Sequence, residues 1–256
     1  MSHFRALLFD VGNSRLKWGV YEHRRICRSG SITHAKLHDS GFAALTTRLP
    51  KRVDTVLASN VAGASFATRL SGLISLHCDT DVHFAHTEKE AYGLLNSYRQ
   101  PRRMGVDRWV AMIGARAELR SAVCVVDAGT AITIDAVDRA GRHIGGQILP
   151  GLHLMARALR SDTSDILAAR QIPKIASSGM EIFAGNTDAA ISNGVFSAVC
   201  GAIERAVRTL RAAGYRPKIV LTGGDASRIL KQLDGSVLHR PNLVLQGLAH
   251  MVESDS

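Results

Sequence analysis

Cysteine is scarce in this chain. The four that occur, Cys27, Cys78, Cys124 and Cys200, include no Cys-x-x-Cys pair, which argues against a zinc site or a disulfide framework and predicts buried thiols. Long apolar runs are missing too. No stretch approaches the roughly 18 residues that a spanning helix needs, and Met1-Ser-His-Phe-Arg lacks the basic-then-apolar layout of a secretory signal. A cytoplasmic location without a membrane partner is expected. Aromatic residues make up only 5%, too few for an obvious base-stacking platform. Acidic residues are outnumbered, 22 against 32 Lys and Arg, for a formal net charge of +10. Such a surplus can signal nucleic acid, but the basic residues are dispersed, the short groups being Arg24-Arg25, Lys51-Arg52 and Arg102-Arg103. An anionic small substrate explains it equally well, and nucleic acid is not the expected partner. What the chain does have is apolar content, 46% of 256 residues, enough for one large core or two modest ones.

The most informative stretch is Val123-Cys-Val-Val-Asp127-Ala-Gly129-Thr130-Ala-Ile-Thr-Ile-Asp135. Two β-branched runs flank an Asp-x-Gly-Thr turn, a strand-turn-strand pattern in which glycine permits a bend and close approach. It could be a plain hairpin turn. It could also seat a phosphate, with turn N–H groups and the Thr130 hydroxyl donating to its oxygens and Asp127 holding a cation. The same pattern opens the chain: Ala6-Leu-Leu-Phe-Asp10-Val11-Gly12-Asn13-Ser14-Arg15-Leu16-Lys17-Trp18. Recurrence at about half the chain length suggests a duplicated domain, with a polyphosphate held between two lobes.

In order, residues 6–20 predict a first hairpin and Arg24 to Ile32 a third strand. Phe42 to Leu49 predicts a short helix ended by Pro50, Asp54 to Val61 a strand, Ser65 to Ser75 a helix, and His83 to His86 a strand or loop. A meander followed by alternating helices and strands describes a mixed α/β lobe. Beyond the second hairpin, Gly145 and Gly146 suggest close backbone approach, and Leu152, Met155 and Leu159 predict a helix after Pro150. Ser161 to Gly179 reads as a polar connection. A long helix then begins at Gly185-Asn186-Thr187-Asp188, with Ile191, Val195, Val199, Ile203 and Leu210 on its apolar face and Thr187 a candidate cap. Lys218 to Ala226 predicts a strand ending in a glycine turn where a purine could lie against backbone.

Between Tyr98 and Ala117, Pro101 and Gly105 punctuate a loop, and Val110, Ile113 and Ala117 mark one face of a helix. Asp107 is a natural N-cap for it. Alternatively its carboxylate accepts a proton from a substrate hydroxyl while Arg108 holds an anionic group. An Asp there is a weak base, which phosphoryl transfer tolerates because its loose transition state needs positioning and charge neutralisation more than deprotonation.

Together, Asp10-x-Gly12-Asn13-Ser14-Arg15-x-Lys17-Trp18, Tyr98 ahead of Gly105-x-Asp107-Arg108-Trp109, Asp127-x-Gly129-Thr130-Ala131, Gly145-Gly146-x-Ile148-x-Pro150-Gly151, Gly185-x-Thr187 and Leu221-Thr-Gly223-Gly224-Asp225 resemble type III pantothenate kinase over nearly the whole chain. The resemblance implies an α/β, actin-like fold of the acetate and sugar kinase/Hsp70/actin superfamily, two RNase-H-like lobes with the active site in the cleft between them. The lobes are expected at residues 1–118 and 119–256. The implied reaction is transfer of the ATP γ-phosphoryl group to the primary hydroxyl of pantothenate, the first step towards coenzyme A. By position, Asp10, Val11, Gly12, Asn13, Ser14, Arg15, Leu16 and Lys17 would form the first phosphate loop and Thr130 would contact ATP. Asp107 would accept the proton, and Tyr98, Gly105, Val106, Asp107, Arg108 and Thr187 would line the pantothenate pocket. Asp127 would bind a monovalent cation, potassium or ammonium. Mg²⁺ would accompany ATP, and a homodimer is implied. Alternatives are another kinase or a polyphosphate phosphatase of the same fold, a regulatory accessory factor with nucleic-acid or protein partners, and an actin-like structural polymer.

Overall fold

The computed structural model describes residues 4–161, 182–233 and 235–255. Two compact units emerge, Met1–Arg120 joined by Asn242–Ser256, and Ser121–Pro241.

The first unit opens with an antiparallel meander, β1 (Arg5–Val11), β2 (Arg15–Glu22) and β3 (Arg25–Thr33). Two short helices follow, α1 (His34–Ser40) and α2 (Ala43–Thr46), then β4 (Thr55–Asn60), α3 (Ala64–Cys78) and β5 (Val82–Phe84). β4 pairs parallel to β1 and β5 parallel to β4, giving the sheet order β3-β2-β1-β4-β5. A small ladder of β6 (Glu90–Ala91) and β7 (Leu94–Leu95), and a 3-10 turn over Pro101–Arg103, lead into α4 (Val106–Leu119). Alternation along the strands gives the sheet two faces. Leu7, Phe9, Val11, Leu16, Trp18, Val56 and Ala58 meet Leu37, Leu45, Leu70 and Ile74 of the helices in one core. Ala6, Leu8 and Asp10 belong to the other face, where α4 packs on β4 and the last helix, α8 (Leu243–Ser254), packs on β1.

The second unit repeats this topology. β8 (Val123–Ala128), β9 (Ala131–Val137) and β10 (His143–Pro150) form a meander, and β11 (Lys218–Thr222) and β12 (Val237–His239) add parallel strands in the order β10-β9-β8-β11-β12. α5 (Leu152–Ser161), α6 (Thr187–Ala212) and α7 (Ala226–Leu230) cover one face, closing a core of Cys124, Val126, Ala128, Ile132 and Ile134 against Leu152, Ile191, Val199, Ile203 and Ile229. The duplicated domain read from the two Asp-x-Gly turns is therefore present, and the architecture is the two-lobed α/β fold with RNase-H-like sheets.

Several details depart from the sequence reading. The expected boundary at residue 118 gives the last helix to the second lobe, whereas α8 folds with the first unit. Two glycines explain it: a side chain on Gly114 would lie 2.7 Å from the Leu243 carbonyl, and one on Gly247 would run into the Val110 carbonyl, so α4 and α8 cross with their backbones nearly touching. The helix expected over Phe42 to Leu49 shrinks to Ala43–Thr46, and α1, which lacks a clear apolar period, adds one before it. On α5, Leu152 and Ala156 are the buried positions and Leu159 is exposed. Cys78, Cys124 and Cys200 are buried as expected, with burial raising the Cys124 thiol to about 12 and the Cys200 thiol to about 11. Cys27 instead sits exposed on β3, an edge strand. Most of the predicted polar connection Ser161 to Gly179 lies outside the described residues. Among the described residues, no helix is long and apolar enough to cross a membrane.

Candidate active site

The first Asp-x-Gly turn joins β1 to β2. Asp10 stands opposite Lys17, Val11 opposite Leu16, and the hairpin closes with the Gly12 N–H donating to the Arg15 carbonyl at 3.0 Å. Val11 and Leu16 are buried in the core, which anchors the base of the turn. Asn13, Ser14 and Arg15 are exposed at its tip. Nothing larger than glycine fits comfortably at position 12, where a side chain would approach the Arg15 carbonyl at 3.3 Å. Asp10 is also the parallel neighbour of Ser59 on β4. The Ser59 hydroxyl is fully buried and lacks a hydrogen-bond partner, a feature the sequence did not signal because nothing local distinguishes this serine from a turn residue.

In the same unit, α4 presents the second constellation. The sequence allowed Asp107 to be its N-cap. The structure assigns that position to Gly105, while Asp107 is the second helical residue and its Oδ1 accepts from the Arg108 N–H at 2.8 Å. The carboxylate folds back over the cap, so that a side chain on Gly105 would meet Asp107 Oδ1 at 2.6 Å. Backbone N–H groups of a helix's first turn favour a negative charge placed there. Val106, half-buried, is the first residue of the helix. Arg108 is buried, and its guanidinium donates to the Tyr98 hydroxyl at 2.9 Å. Tyr98 is positioned in turn by its N–H, which donates to the Asn96 side chain at 2.9 Å, and Asn96 is itself buried. Tyr98, Gly105, Asp107 and Arg108 are thus one connected group.

The second Asp-x-Gly turn is one residue tighter, with Gly129 N–H donating to the Ala131 carbonyl at 3.0 Å. Two segments distant in sequence close around it. Gly151 N–H donates to the Thr130 carbonyl at 3.0 Å, and Asp225 N–H to the Ala128 carbonyl at 2.9 Å. Both approaches demand glycine: a side chain on Gly151 would strike the Gly129 and Thr130 carbonyls, and one on Gly223 would strike Asp127 Oδ1 and the Ala128 carbonyl, besides being strained at a φ of +97°. The donor set around the turn is a carboxylate and backbone carbonyls, all oxygen, which suits a hard cation. Beside it, Asp225 pairs with Arg228 at 3.3 Å and with His153 at 3.9 Å, a cluster that sequence spacing did not reveal because His153 follows β10 and the others follow β11.

Thr187 is the first residue of α6 and exposed, while capping falls to Asn186, whose side chain accepts from the Ala189 N–H at 3.0 Å. Among the described residues, no group of three or more His, Cys, Asp and Glu side chains is placed to hold a metal.

A family model for type III pantothenate kinase matches residues 6–209. Curated relatives of that name include one from Herminiimonas arsenicoxydans, 40% identical with 94% of this chain and 95% of the relative covered, and one from Aromatoleum aromaticum, 37% identical with 98% of each covered. Among solved structures, a Campylobacter jejuni protein provisionally described as a Baf family transcriptional activator is similar at a TM-score of 0.60 and 20% identity, over 97% of this chain and 98% of that one. The ethanolamine utilization protein EutJ from Carboxydothermus hydrogenoformans is similar at 0.53 and 12%, over 98% and 90%. At such identities the likeness to solved structures speaks for the fold alone. Matched by the family model over most of its length, and 37% and 40% identical to curated relatives along nearly all of it, the chain belongs to the type III pantothenate kinase family.

Proposed function

We propose that the chain transfers the γ-phosphoryl group of ATP to the primary hydroxyl of pantothenate, giving 4'-phosphopantothenate. Membership of the family carries this reading, and the chemistry of the placed residues supports it. Asp10 to Lys17 form a turn with an exposed tip and a lysine at its base, suited to phosphate oxygens. Asp107, held at a helix N-terminus beside Arg108, takes the hydroxyl proton as the new phosphorus–oxygen bond forms. Arg108, fixed by Tyr98, holds the anionic end of the acceptor or the phosphate in transfer. Gly105 and Val106 shape the same end of the pantothenate pocket, and the exposed Thr187 hydroxyl is assigned to pantothenate as well. Thr130 contacts ATP.

Asp127, with the surrounding carbonyls, would hold potassium or ammonium, which offsets phosphate charge. Mg²⁺ would arrive on ATP, since that ion keeps several waters and is held by substrate phosphates with one or two carboxylates rather than by an all-protein cage. We also assign the chain a cytoplasmic location, and a homodimeric state supported by large apolar side chains exposed on the second unit, among them Ile148, Ile182 and Phe183.

The test is an acceptor panel with Mg-ATP: pantothenate, simple sugars, acetate and water, with phosphorus NMR of the product. A phosphomonoester on the primary hydroxyl of pantothenate, formed in preference to the other acceptors, supports the reading. Phosphorylation of a sugar or acetate alone replaces it with another kinase of the same fold.

A further inference from the structure

β4 pairs in parallel with β1 on one side and with β5 on the other, and its end is fixed from three directions. The Val61 N–H donates to the Val11 carbonyl at 2.9 Å and the Ala85 N–H to the Ala58 carbonyl at 2.8 Å. The Asn60 side chain ties the turn that follows, accepting from the Ala62 N–H and donating to the Gly63 carbonyl, both at 3.0 Å. Ser59 therefore sits on rigid backbone. In register it stands beside Asp10 on β1, which stands beside Lys17 on β2. Residues paired across neighbouring strands project to the same face. A hydroxyl, a carboxylate and an ammonium thus form one row at the base of the first phosphate turn.

The Ser59 hydroxyl is the buried end of that row. It is fully buried, and among the described residues no group hydrogen-bonds to it. Leaving a buried hydroxyl unsatisfied is costly, and alanine would fill nearly the same space without that cost. Other buried side chains also lack a partner, among them Trp109 Nε1 and Ser192 Oγ. Ser59 differs from them in its neighbour, a half-buried carboxylate on the adjacent strand that belongs to the phosphate turn. Strands lie about 4.8 Å apart, a separation that one water spans between two polar groups.

We propose that Ser59 is a positioning residue for the nucleotide site: through a water shared with Asp10 it fixes the orientation of that carboxylate, and hence the affinity for ATP, without touching the acceptor. This rests on the kinase reading for the identity of the nucleotide. The hydroxyl adds an anchor to the contacts Asp10 already makes, and a group held in advance loses less freedom when its ligand arrives.

The experiment measures ATP binding by calorimetry without acceptor, melting temperature, and KM for ATP and for pantothenate, in the wild type, Ser59→Ala and Ser59→Cys. Losing one such hydrogen bond predicts that Ser59→Ala weakens ATP about three- to tenfold. A hydroxyl bonded to water contributes little to the fold, so the melting temperature should stay within about 2 °C of the wild type or rise. KM for pantothenate should stay within about twofold, and Ser59→Cys, which keeps the volume but hydrogen-bonds weakly, should lose ATP affinity as alanine does. In an Asp10→Ala background, Ser59→Ala should cost less than about twofold, because its partner is gone. Wild-type ATP affinity in Ser59→Ala overturns the proposal. So does an equal rise in both KM values, a loss of affinity that follows melting temperature, full affinity in Ser59→Cys, or an undiminished effect beside Asp10→Ala. If pantothenate proves not to be the acceptor while ATP still binds, the functional reading fails alone and calorimetry continues to decide on Ser59. A wild-type chain that binds no ATP overturns both.

Discussion

At the scale of single residues, the carboxylate of Asp107 is asked to do the most. Replacing it with Asn preserves size and helix position but removes the proton acceptor, so kcat should fall by roughly a hundredfold to ten-thousandfold while the melting temperature barely moves. Near-normal turnover would return Asp107 to a purely structural role. Gly105→Ala is a finer probe. Its backbone, at a φ of −58° and a ψ of 130°, accepts alanine, but the new methyl would press on Asp107 Oδ1 at 2.6 Å. Since a carboxylate can rotate away cheaply, the expected outcome is a fold left intact and a kcat lowered at least about tenfold, the cost of a misplaced catalytic group. Spectroscopic unfolding beside steady-state rates would separate the two effects. Asp107 and Arg108 stood out in the sequence because charged residues opening an apolar helix invite a reason. The cap itself was misread, because Asp and Gly both serve at helix N-termini and only the backbone decides between them.

The elements make their own predictions. α4 carries Asp107 and is held from behind by α8, backbone to backbone at Gly114 and Gly247. Gly247→Ala would push a methyl into the Val110 carbonyl, which cannot rotate aside, and should cost about 1–3 kcal/mol of stability by denaturant unfolding. A neutral result would mean that the helices can part without penalty. The turn between β9 and β10 gives a pH dependence. Burial alone would raise the Asp138 carboxyl, but the Arg142 N–H at 2.9 Å and guanidinium at 2.8 Å outweigh it and hold it below the ordinary carboxylate value. With the folded pKa lowered, the folded state binds the proton less readily than the unfolded chain. The contribution is complete above about pH 4, the unfolded value, and is lost as pH falls through the folded one. Thermal melts of the protein and of Asp138→Asn should therefore differ at neutral pH and converge in acid; a gap that is constant with pH would contradict the assignment. Strands were the legible elements here, since β1 and β8 are nearly continuous apolar runs and β2 alternates Leu16, Trp18 and Val20 on one face. α1 was not, because it is short and held by tertiary contacts such as Phe66 on His34 rather than by its own periodicity, and α2 was legible only as a longer helix.

For the molecule as a whole, the two Asp-x-Gly turns announced a duplication, and the two sheets bear it out strand for strand. The membership of α8 could not be read in this way. Its packing against β1 and α4 joins the end of the chain to its beginning, and a contact at that separation leaves no local trace in sequence. The glycines at 151 and 223 show the same limit from the other side: their types were conspicuous, but that both press on the Asp127 turn emerges only in three dimensions. Apolar side chains exposed on the second unit predict self-association, and sedimentation should find a dimer; a monomer at all accessible concentrations would remove that part of the proposal. The central claim concerns the chemistry, and the most direct test is ADP release by the purified protein with Mg-ATP, with and without pantothenate, in potassium, ammonium or sodium salts. The account predicts ADP formation that requires pantothenate and collapses when sodium replaces potassium or ammonium. A folded protein that releases no ADP in response to pantothenate in any of the three salts would contradict it.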